Sequence, residues 1–221
     1  SFWSNFERME GYVTLVHTFM YMIVRGTVLT TQTLWNRFFN TTICVAIILS
    51  LYAFAQLSGN ITINQGGVRL DGTLGNSAYM AIYMLFHIFI TFFMLLRTQS
   101  KGMKYTYGAL TILFIYLLAQ TATRGTTLGL VGGSFIMVTY IALFAKGYPQ
   151  MRKAAAGGLI ALVAVVALFI TFKESSFIQG NPYLQRISTI SLKEGTNRFN
   201  IWGMAFEGVK ERPILGWGQG N

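Results

Sequence analysis

The chain has 221 residues, of which 53% are hydrophobic and only 11% are charged. Soluble domains carry about 25% charged residues, so this composition argues against a water-soluble globular protein. The formal net charge of +10 would suggest nucleic-acid binding in a soluble protein, but in a membrane protein the positions of the basic residues matter more. The composition therefore predicts membrane lipids, and no nucleic acid, as partners.

Several stretches of the chain are apolar over about 20 residues, the length that a helix needs to cross a bilayer. Because lipid offers the backbone no hydrogen-bond partners, such stretches are helical. The first is the weakest, since it contains His17 and ends with Arg25. We predict an all-α fold, a polytopic membrane bundle of about six transmembrane helices near residues 11–30, 38–57, 77–96, 105–122, 126–145 and 154–172.

The basic residues fall unevenly on the two sides of these spans. If the six spans alternate, one side collects eight basic residues and no acidic one: Arg25, Arg37, Arg97, Lys101, Lys104, Lys146, Arg152 and Lys153. The other side collects nine basic residues and all seven acidic residues. Because an excess of Lys and Arg marks the cytoplasmic side, both ends of the chain are expected to face outward.

The outward-facing tail is more polar than the chain before it. It contains a predicted amphipathic helix over 197–211, followed by Pro213, because apolar residues recur there at steps of three and four: Phe199, Trp202, Phe206 and Val209. We divide the chain into a transmembrane bundle, residues 1–172, and the start of a large outward loop, residues 173–221.

Three outward-facing segments each carry an arginine: Arg69, Arg124 and Arg198. A guanidinium keeps its proton in proteins, and its planar fork binds phosphate oxygens at two points. An unpaired cation at the edge of a span is costly, so it needs a carboxylate, water or a bound anion. Arg198 also opens the predicted tail helix, whose N-terminal amides attract anions. We expect the three arginines to converge on a lipid-linked diphosphate.

Each arginine also has a simpler interpretation. Arg69 can pair with Asp71 or with lipid phosphates. Arg124 can be part of a purely structural turn, in which the neighbouring threonine hydroxyls serve as helix caps and nothing more. Arg198 can be a solvated residue of an amphipathic helix. The convergence of all three on one side is what favours a binding site.

Other motifs give little chemistry. The sequence contains no HExxH, CxxC, EF-hand, Walker or dinucleotide-binding pattern, so no metal or cofactor is predicted. The single cysteine, Cys44, excludes an internal disulfide. His17 and His87 lie in apolar stretches, where a histidine usually forms a helix–helix hydrogen bond. The glycines of "GLVGG", residues 129–133, are interpreted as close helix packing.

Three stretches in order carry a family resemblance: "RLDGTLGNSAYMA" at 69–81, "TATRGTTLGLVGG" at 121–133 and "NRFNIWGMAFEGVKERPILGWGQGN" at 197–221. They resemble the arginine-containing entry to a span, the Thr-x-Ser-Arg-Gly turn and the periplasmic-loop segment of the O-antigen ligase and O-antigen polymerase superfamily of bacterial membrane glycosyltransferases. Thr123 stands where serine is commoner in the turn.

The resemblance implies a multi-pass enzyme of the bacterial inner membrane, with both ends of this chain in the periplasm. It implies transfer of a glycan from undecaprenyl diphosphate to a glycan or lipid acceptor, without a metal or cofactor. By the matched positions, Arg124 and Arg198 would bind the diphosphate, with Arg69 a weaker candidate. Trp202 and Thr123 would support them.

The superfamily also uses a histidine further along the periplasmic loop, as a base on the acceptor hydroxyl. No position here matches it, so the catalytic base is unknown and is expected beyond Asn221. We therefore expect the chain to be a piece of a longer protein and inactive alone.

Several functions remain open. Ligation to a lipid acceptor, polymerisation of repeat units and protein O-glycosylation all fit the motifs. A flippase for lipid-linked glycans would also place outward arginines around a diphosphate, but it needs polar residues deep in its spans, and these spans contain few. A scaffold of six packed helices would leave the arginines and the tail helix without a function.

Overall fold

A computed structural model describes residues 12–64, 69–145, 147–189 and 193–213, and over these residues it is helical without a strand. The helices are α1 (Tyr12–Val28), α2 (Gln32–Leu57), α3 (Ser77–Arg97), α4 (Lys101–Gln120), α5 (Arg124–Phe144), α6 (Pro149–Thr171), α7 (Ser176–Gln179), α8 (Pro182–Ser188) and α9 (Lys193–Glu211). A single 3-10 turn, Gly72–Leu74, precedes α3. The predicted all-α class is confirmed.

Five of these helices, α2 to α6, are long and apolar enough to cross a membrane. They coincide with five of the six predicted spans. The first predicted span is the helix α1, which has 17 residues in the described part of the chain. This length lies at the lower limit of the range for a bilayer-spanning helix, about 17–25 residues.

The ends of the spans differ from the prediction because the helices continue beyond the apolar stretch. α4 begins at Lys101 instead of residue 105, since the Ser100 side chain accepts a hydrogen bond from the Met103 amide and caps the helix. α6 begins at Pro149 instead of residue 154, because proline is favoured in the first turn of a helix. Polar first turns therefore extend out of the predicted hydrocarbon region.

The chain forms two compact units. The bundle unit comprises residues 41–190, and the tail unit comprises residues 1–40 and 191–221. The division that we predicted at residue 172 rests on membrane placement, a different property, and stays a prediction.

The core of the bundle unit lies among α2, α3 and α4. α3 and α4 form an antiparallel hairpin across a loop of three residues, 98–100. The side chains that form the core are Ala46, Leu49, Ala53, Leu70, Met80, Met84, Ile88, Phe114, Leu117 and Leu118. Leu70 is the member that comes from a loop, and its burial fixes the segment that carries Arg69.

α5 packs closely against α3 through glycines. A Cβ atom added at Gly133 would lie 3.1 Å from Cζ of Phe89, and one added at Gly129 would lie 3.5 Å from Cδ2 of Leu85. Because the two glycines are four residues apart on α5, and Leu85 and Phe89 are four residues apart on α3, each pair lies on one face of its helix. The interpretation of "GLVGG" as a packing motif is confirmed.

In the tail unit, α9 begins at Lys193, four residues before the predicted start, and ends at Glu211, shortly before Pro213. Arg198 therefore lies in the second turn of α9. The prediction that Arg198 opens the helix is wrong, because the free N-terminal amides of a helix belong to its first turn. Within α9, the rings of Phe199 and Trp202 form an edge-to-face pair with centroids 5.5 Å apart.

Candidate functional site

Arg69 reaches from the α2–α3 loop to the turn between α4 and α5. Its Nε donates to the Thr121 carbonyl oxygen at 3.4 Å, and its Nη2 donates to Oγ1 of Thr123 at 3.3 Å. Next to it, the Leu70 amide donates to the carbonyl oxygen of Gln120, the last residue of α4. The loop is thus joined to the α4–α5 turn by both backbone and side chain.

The simpler interpretation of Arg69, an ion pair with Asp71, does not describe this structure. The Asp71 carboxylate accepts from Nε2 of Gln56 at 2.7 Å and from the Asn64 amide at 2.9 Å. The Arg69 guanidinium instead contacts neutral oxygens at the upper end of the usual hydrogen-bond distance. Among the side chains that the structure describes, no carboxylate forms an ion pair with this guanidinium.

Arg124 is the first residue of α5 and contacts α8. Its Nε donates to the Arg186 carbonyl oxygen at 2.8 Å, and its Nη2 donates to Oγ1 of Thr189 at 2.7 Å. These oxygens belong to the C-terminal end of α8, where carbonyl groups lack helical partners and a cation is favourable. Arg124 therefore holds α8 against the start of α5.

Arg186 brings a third guanidinium to this end of the bundle unit. Burial of the Arg69 side chain lowers its pKa, and the positive charge of Arg186 lowers it further. Arginine starts from so high a pKa that it stays protonated near neutral pH. We call Arg69, Arg124 and Arg186 the arginine cluster.

Sequence reasoning missed Arg186. It lies in the polar tail, in a segment without apolar periodicity, and only the return of α8 onto α4 and α5 brings it near Arg69. Its occurrence in an outward-facing segment was the one available signal, and lysines and arginines elsewhere in the tail share that property.

The α4–α5 turn beneath the cluster is held in an unusual conformation. Ala122 has a φ of 48°, in the left-handed region that residues other than glycine rarely adopt. Its side chain is almost fully buried, at 2% exposure. A left-handed alanine costs about 1 kcal/mol or more, so the surrounding contacts must impose this geometry. It places Thr121 and Thr123 on either side of the turn, where both meet Arg69.

Thr123 links three segments. Its hydroxyl accepts from Arg69 and lies 3.3 Å from the Ser77 carbonyl oxygen in the first turn of α3. Although Thr123 is the N-cap residue of α5, its side chain makes no cap hydrogen bond. The hydroxyls of Thr126 and Thr127 donate back to the Thr123 carbonyl oxygen. The expectation that Thr123 supports the site thus has a geometric basis through Arg69.

The two other candidate residues, Arg198 and Trp202, lie in α9 of the tail unit. The side chain of Arg198 lies outside the described part of the structure. Trp202 is 63% exposed and contacts Phe199. Their roles at a diphosphate site stay predictions.

The span histidines bond within their own helices. Nδ1 of His17 lies 2.7 Å from the Val13 carbonyl oxygen, and Nδ1 of His87 lies 2.8 Å from that of Tyr83. At Nδ1 of both rings the expected helix–helix hydrogen bond is therefore replaced by a contact one turn back, while the His87 ring also interacts with the Thr42 backbone on α2. The His87 ring also meets the edge of Phe114 on α4.

A scan of family models matches residues 109–221, a little over half of the chain, to the family described as O-antigen ligase. The chain belongs to the O-antigen ligase family. Comparisons with curated proteins and with solved structures give no match.

That family is of the glycosyltransferase type, and the five apolar helices indicate a multi-pass membrane protein. The matched region contains Arg124, Arg186 and Arg198, and it begins within α4. Arg69 lies before the match, so its place in the arginine cluster rests on the structure alone.

Proposed function

We propose that the protein transfers a glycan from undecaprenyl diphosphate to an acceptor at the periplasmic face of the bacterial inner membrane. The arginine cluster would bind the diphosphate of the donor, and Arg198 stays a further candidate for diphosphate binding by the family resemblance. The observation that supports this most strongly is the meeting of Arg69 and Arg124 at one turn, with the charge of Arg186 beside them.

The chemistry of such a transfer needs fixed positive charge. When the acceptor hydroxyl displaces the diphosphate, negative charge grows on the leaving phosphate oxygens. Guanidinium groups already in place stabilise that charge without rearrangement, and their forks bind two oxygens each. The transfer would need neither a metal ion nor a nucleotide sugar. We assign no residue of this chain as the base that accepts the hydroxyl proton, and we propose that the chain alone is inactive.

The contacts of Arg124 indicate how a diphosphate would bind. Phosphate oxygens are stronger acceptors for a guanidinium than the Arg186 carbonyl and the Thr189 hydroxyl, because they carry negative charge and can accept from both prongs of the fork. The donor would therefore compete for the Arg124 guanidinium with the end of α8. Thr123 would support the site by orienting Arg69.

An apolar groove between α5 and α6 favours chemistry at the membrane surface over transport of the glycan through the helices. The groove of about 370 Å³ between α5 and α6 is lined by apolar residues and glycine: Val131, Gly132, Phe135, Leu162, Val163, Val166, Ala167 and Ile170. Such a lining offers no path for a charged glycan diphosphate. The acceptor would be lipid A core, a growing glycan or a protein.

The test replaces Arg69 and Arg124 separately by lysine in the full-length protein. Lysine keeps the charge but loses the fork, so we expect KM for an undecaprenyl diphosphate-linked oligosaccharide to rise about tenfold. Arg152→Lys is the matched control, because the Arg152 Nε also donates to a carbonyl oxygen, that of Ala142, away from the cluster.

Unchanged transfer by both cluster variants would contradict the assignment of the diphosphate site. Translocation of the same labelled lipid across proteoliposomes, without glycan transfer to any acceptor, would instead favour the flippase.

A further inference from the structure

A carboxylate is buried directly beside the arginine cluster, in the loop that carries Arg69. Asp71 has no exposed surface. A buried charge is unfavourable unless hydrogen bonds satisfy it. The Gln56 side chain donates a hydrogen bond to Oδ1 of Asp71, and the Asn64 amide donates one to Oδ2. The function proposed above assigns Asp71 no role, although it lies two residues from Arg69.

Gln56 holds this loop at both of its ends. Its Nε2 donates to Oδ1 of Asp71 at 2.7 Å and to the Thr62 carbonyl oxygen at 3.1 Å. Its Oε1 accepts from the Gly72 amide at 2.8 Å. Gln56 is itself 3% exposed and lies in the last turn of α2. One side chain of a rigid helix therefore fixes the backbone before and after Arg69.

The far side of the loop is fixed by packing. Gly72 has a φ of +58°, and a Cβ atom there would lie 3.1 Å from the sulfur of Met80 and 3.2 Å from Cδ1 of Leu49. Leu70 is fully buried in the core. The three residues that follow Arg69 are thus held in place, whereas the hydrogen bonds of its guanidinium to described residues are long, at 3.3 and 3.4 Å. The loop, more than these contacts, sets the position of Arg69.

We infer that the buried Gln56–Asp71 pair is the positioning device for Arg69 at the diphosphate site. Asp71 acts on donor binding through Arg69 and without touching the donor. This inference rests on the proposed function and deepens it, because it assigns the affinity for diphosphate partly to a carboxylate that has the same sign of charge as the ligand.

The first variant is Asp71→Asn in the full-length protein. Asparagine has nearly the same shape, but it can accept from only one of the two donors on its oxygen, and its amide group faces the other donor. We expect faster hydrogen exchange of the Asn64 and Gly72 amides and about a tenfold higher KM for the undecaprenyl diphosphate-linked donor, with a smaller change in kcat.

A double-mutant cycle separates positioning from general damage. In an Arg69→Lys background, Asp71→Asn should raise KM by less than about twofold, since the group it positions is already impaired. The double variant Gln56→Glu with Asp71→Asn reverses the polarity of the pair. It should restore slow exchange at the Asn64 and Gly72 amides and part of the donor affinity, because the asparagine amide then donates to the new carboxylate, whereas the Thr62 carbonyl oxygen loses its donor.

Thr91→Val is the control for lost stability. Thr91 is fully buried and accepts a hydrogen bond from Thr111 on α4, away from the loop. The Thr91→Val variant should have a lower melting temperature and an unchanged donor KM. A KM rise like that of Asp71→Asn would overturn the inference.

Two further outcomes would contradict it. Unchanged exchange of the loop amides in Asp71→Asn overturns the inference alone. If Asp71→Asn speeds the exchange of the loop amides but Arg69→Lys leaves the donor KM unchanged, Arg69 does not bind the diphosphate. That result overturns the proposed function together with the inference.

Discussion

The Nε of Arg124 donates a 2.8 Å hydrogen bond to the carbonyl oxygen of Arg186. This bond joins the first residue of a membrane-spanning helix to the C-terminal end of a short helix in the polar tail. The same guanidinium reaches Oγ1 of Thr189. One side chain thus has two roles in the proposed enzyme, as an anchor for α8 and as a ligand for phosphate.

Replacing Thr189 by valine separates these roles. Valine keeps the shape but removes the acceptor for Nη2, so α8 loses part of its anchor, worth about 1 kcal/mol or less at an exposed position. We expect faster proteolysis within residues 176–189 and no increase in donor KM. A KM increase equal to that of Arg124→Lys would show that the contact with Thr189 is itself needed for donor binding.

The left-handed conformation of Ala122 predicts that glycine is tolerated at this position and that valine is not. Ala122→Gly removes the left-handed strain, about 1 kcal/mol, but adds chain entropy to the unfolded state by a similar amount. The melting temperature should therefore change little. Ala122→Val should lower both melting temperature and transfer, because a β-branched residue resists this φ and would displace Thr123 and Arg124.

Ala161→Val serves as the control for Ala122→Val, since Ala161 is exposed within α6. Valine should be tolerated there. Equal damage at both positions would contradict the importance of the left-handed turn.

The features that depend on a short stretch of sequence, such as the membrane spans, were predictable from the sequence. Hydropathy located the spans, because twenty consecutive apolar residues have few alternatives to a membrane helix. The alternation of spans predicted that Arg69 and Arg124 lie at one end, and the contacts of Arg69 with the turn that immediately precedes Arg124 agree. Helix ends were less predictable, since caps such as Ser100 extend a helix beyond its apolar stretch.

Contacts that depend on chain reversal were not predictable. Arg186 reaches the cluster because α8 returns onto α4 and α5, and no periodicity in the tail indicates this. Likewise, Gln56 lies in the last turn of α2 and Asp71 lies fifteen positions later, in the loop before α3, and the local sequence does not indicate that the two side chains meet. Their burial results from the packing of Leu70 and Gly72, which the local sequence does not reveal.

The glycine contacts predict that α3–α5 packing is sensitive to side-chain size. Gly133→Leu would collide with Phe89, and overpacking of this kind costs about 1–3 kcal/mol. We expect a melting temperature lower by several degrees in detergent. Gly157→Leu is the control, because a Cβ atom at Gly157 meets no atom within 4 Å. Equal effects of the two variants would contradict the packing role of Gly133.

Removal of metal ions tests the proposed use of guanidinium charge. Over the residues that the structure describes, no group of three or more His, Cys, Asp or Glu side chains could hold a metal ion. We predict that EDTA leaves transfer by the full-length protein unchanged. Loss of transfer with EDTA, followed by recovery on adding a divalent cation, would contradict a site built on arginine alone.

The lowered pKa of Arg69 gives a prediction about pH. Burial, and then the neighbouring charge of Arg186, both disfavour a cation at this position. Arginine stays charged regardless, so the donor KM of the unmodified protein should not change between about pH 7.5 and about pH 9.5 on account of Arg69. Lysine starts from an ordinary pKa of about 10.4, and the same two causes lower it in an Arg69→Lys variant.

Because only the protonated lysine attracts the diphosphate, the donor KM of Arg69→Lys should rise as pH increases over that range. The Arg152→Lys variant, with its lysine at an exposed position away from the cluster, should follow the unmodified protein. Measuring donor KM for all three proteins across the range checks this directly. Parallel pH profiles for the three would mean that position 69 is either well solvated or not in contact with the donor.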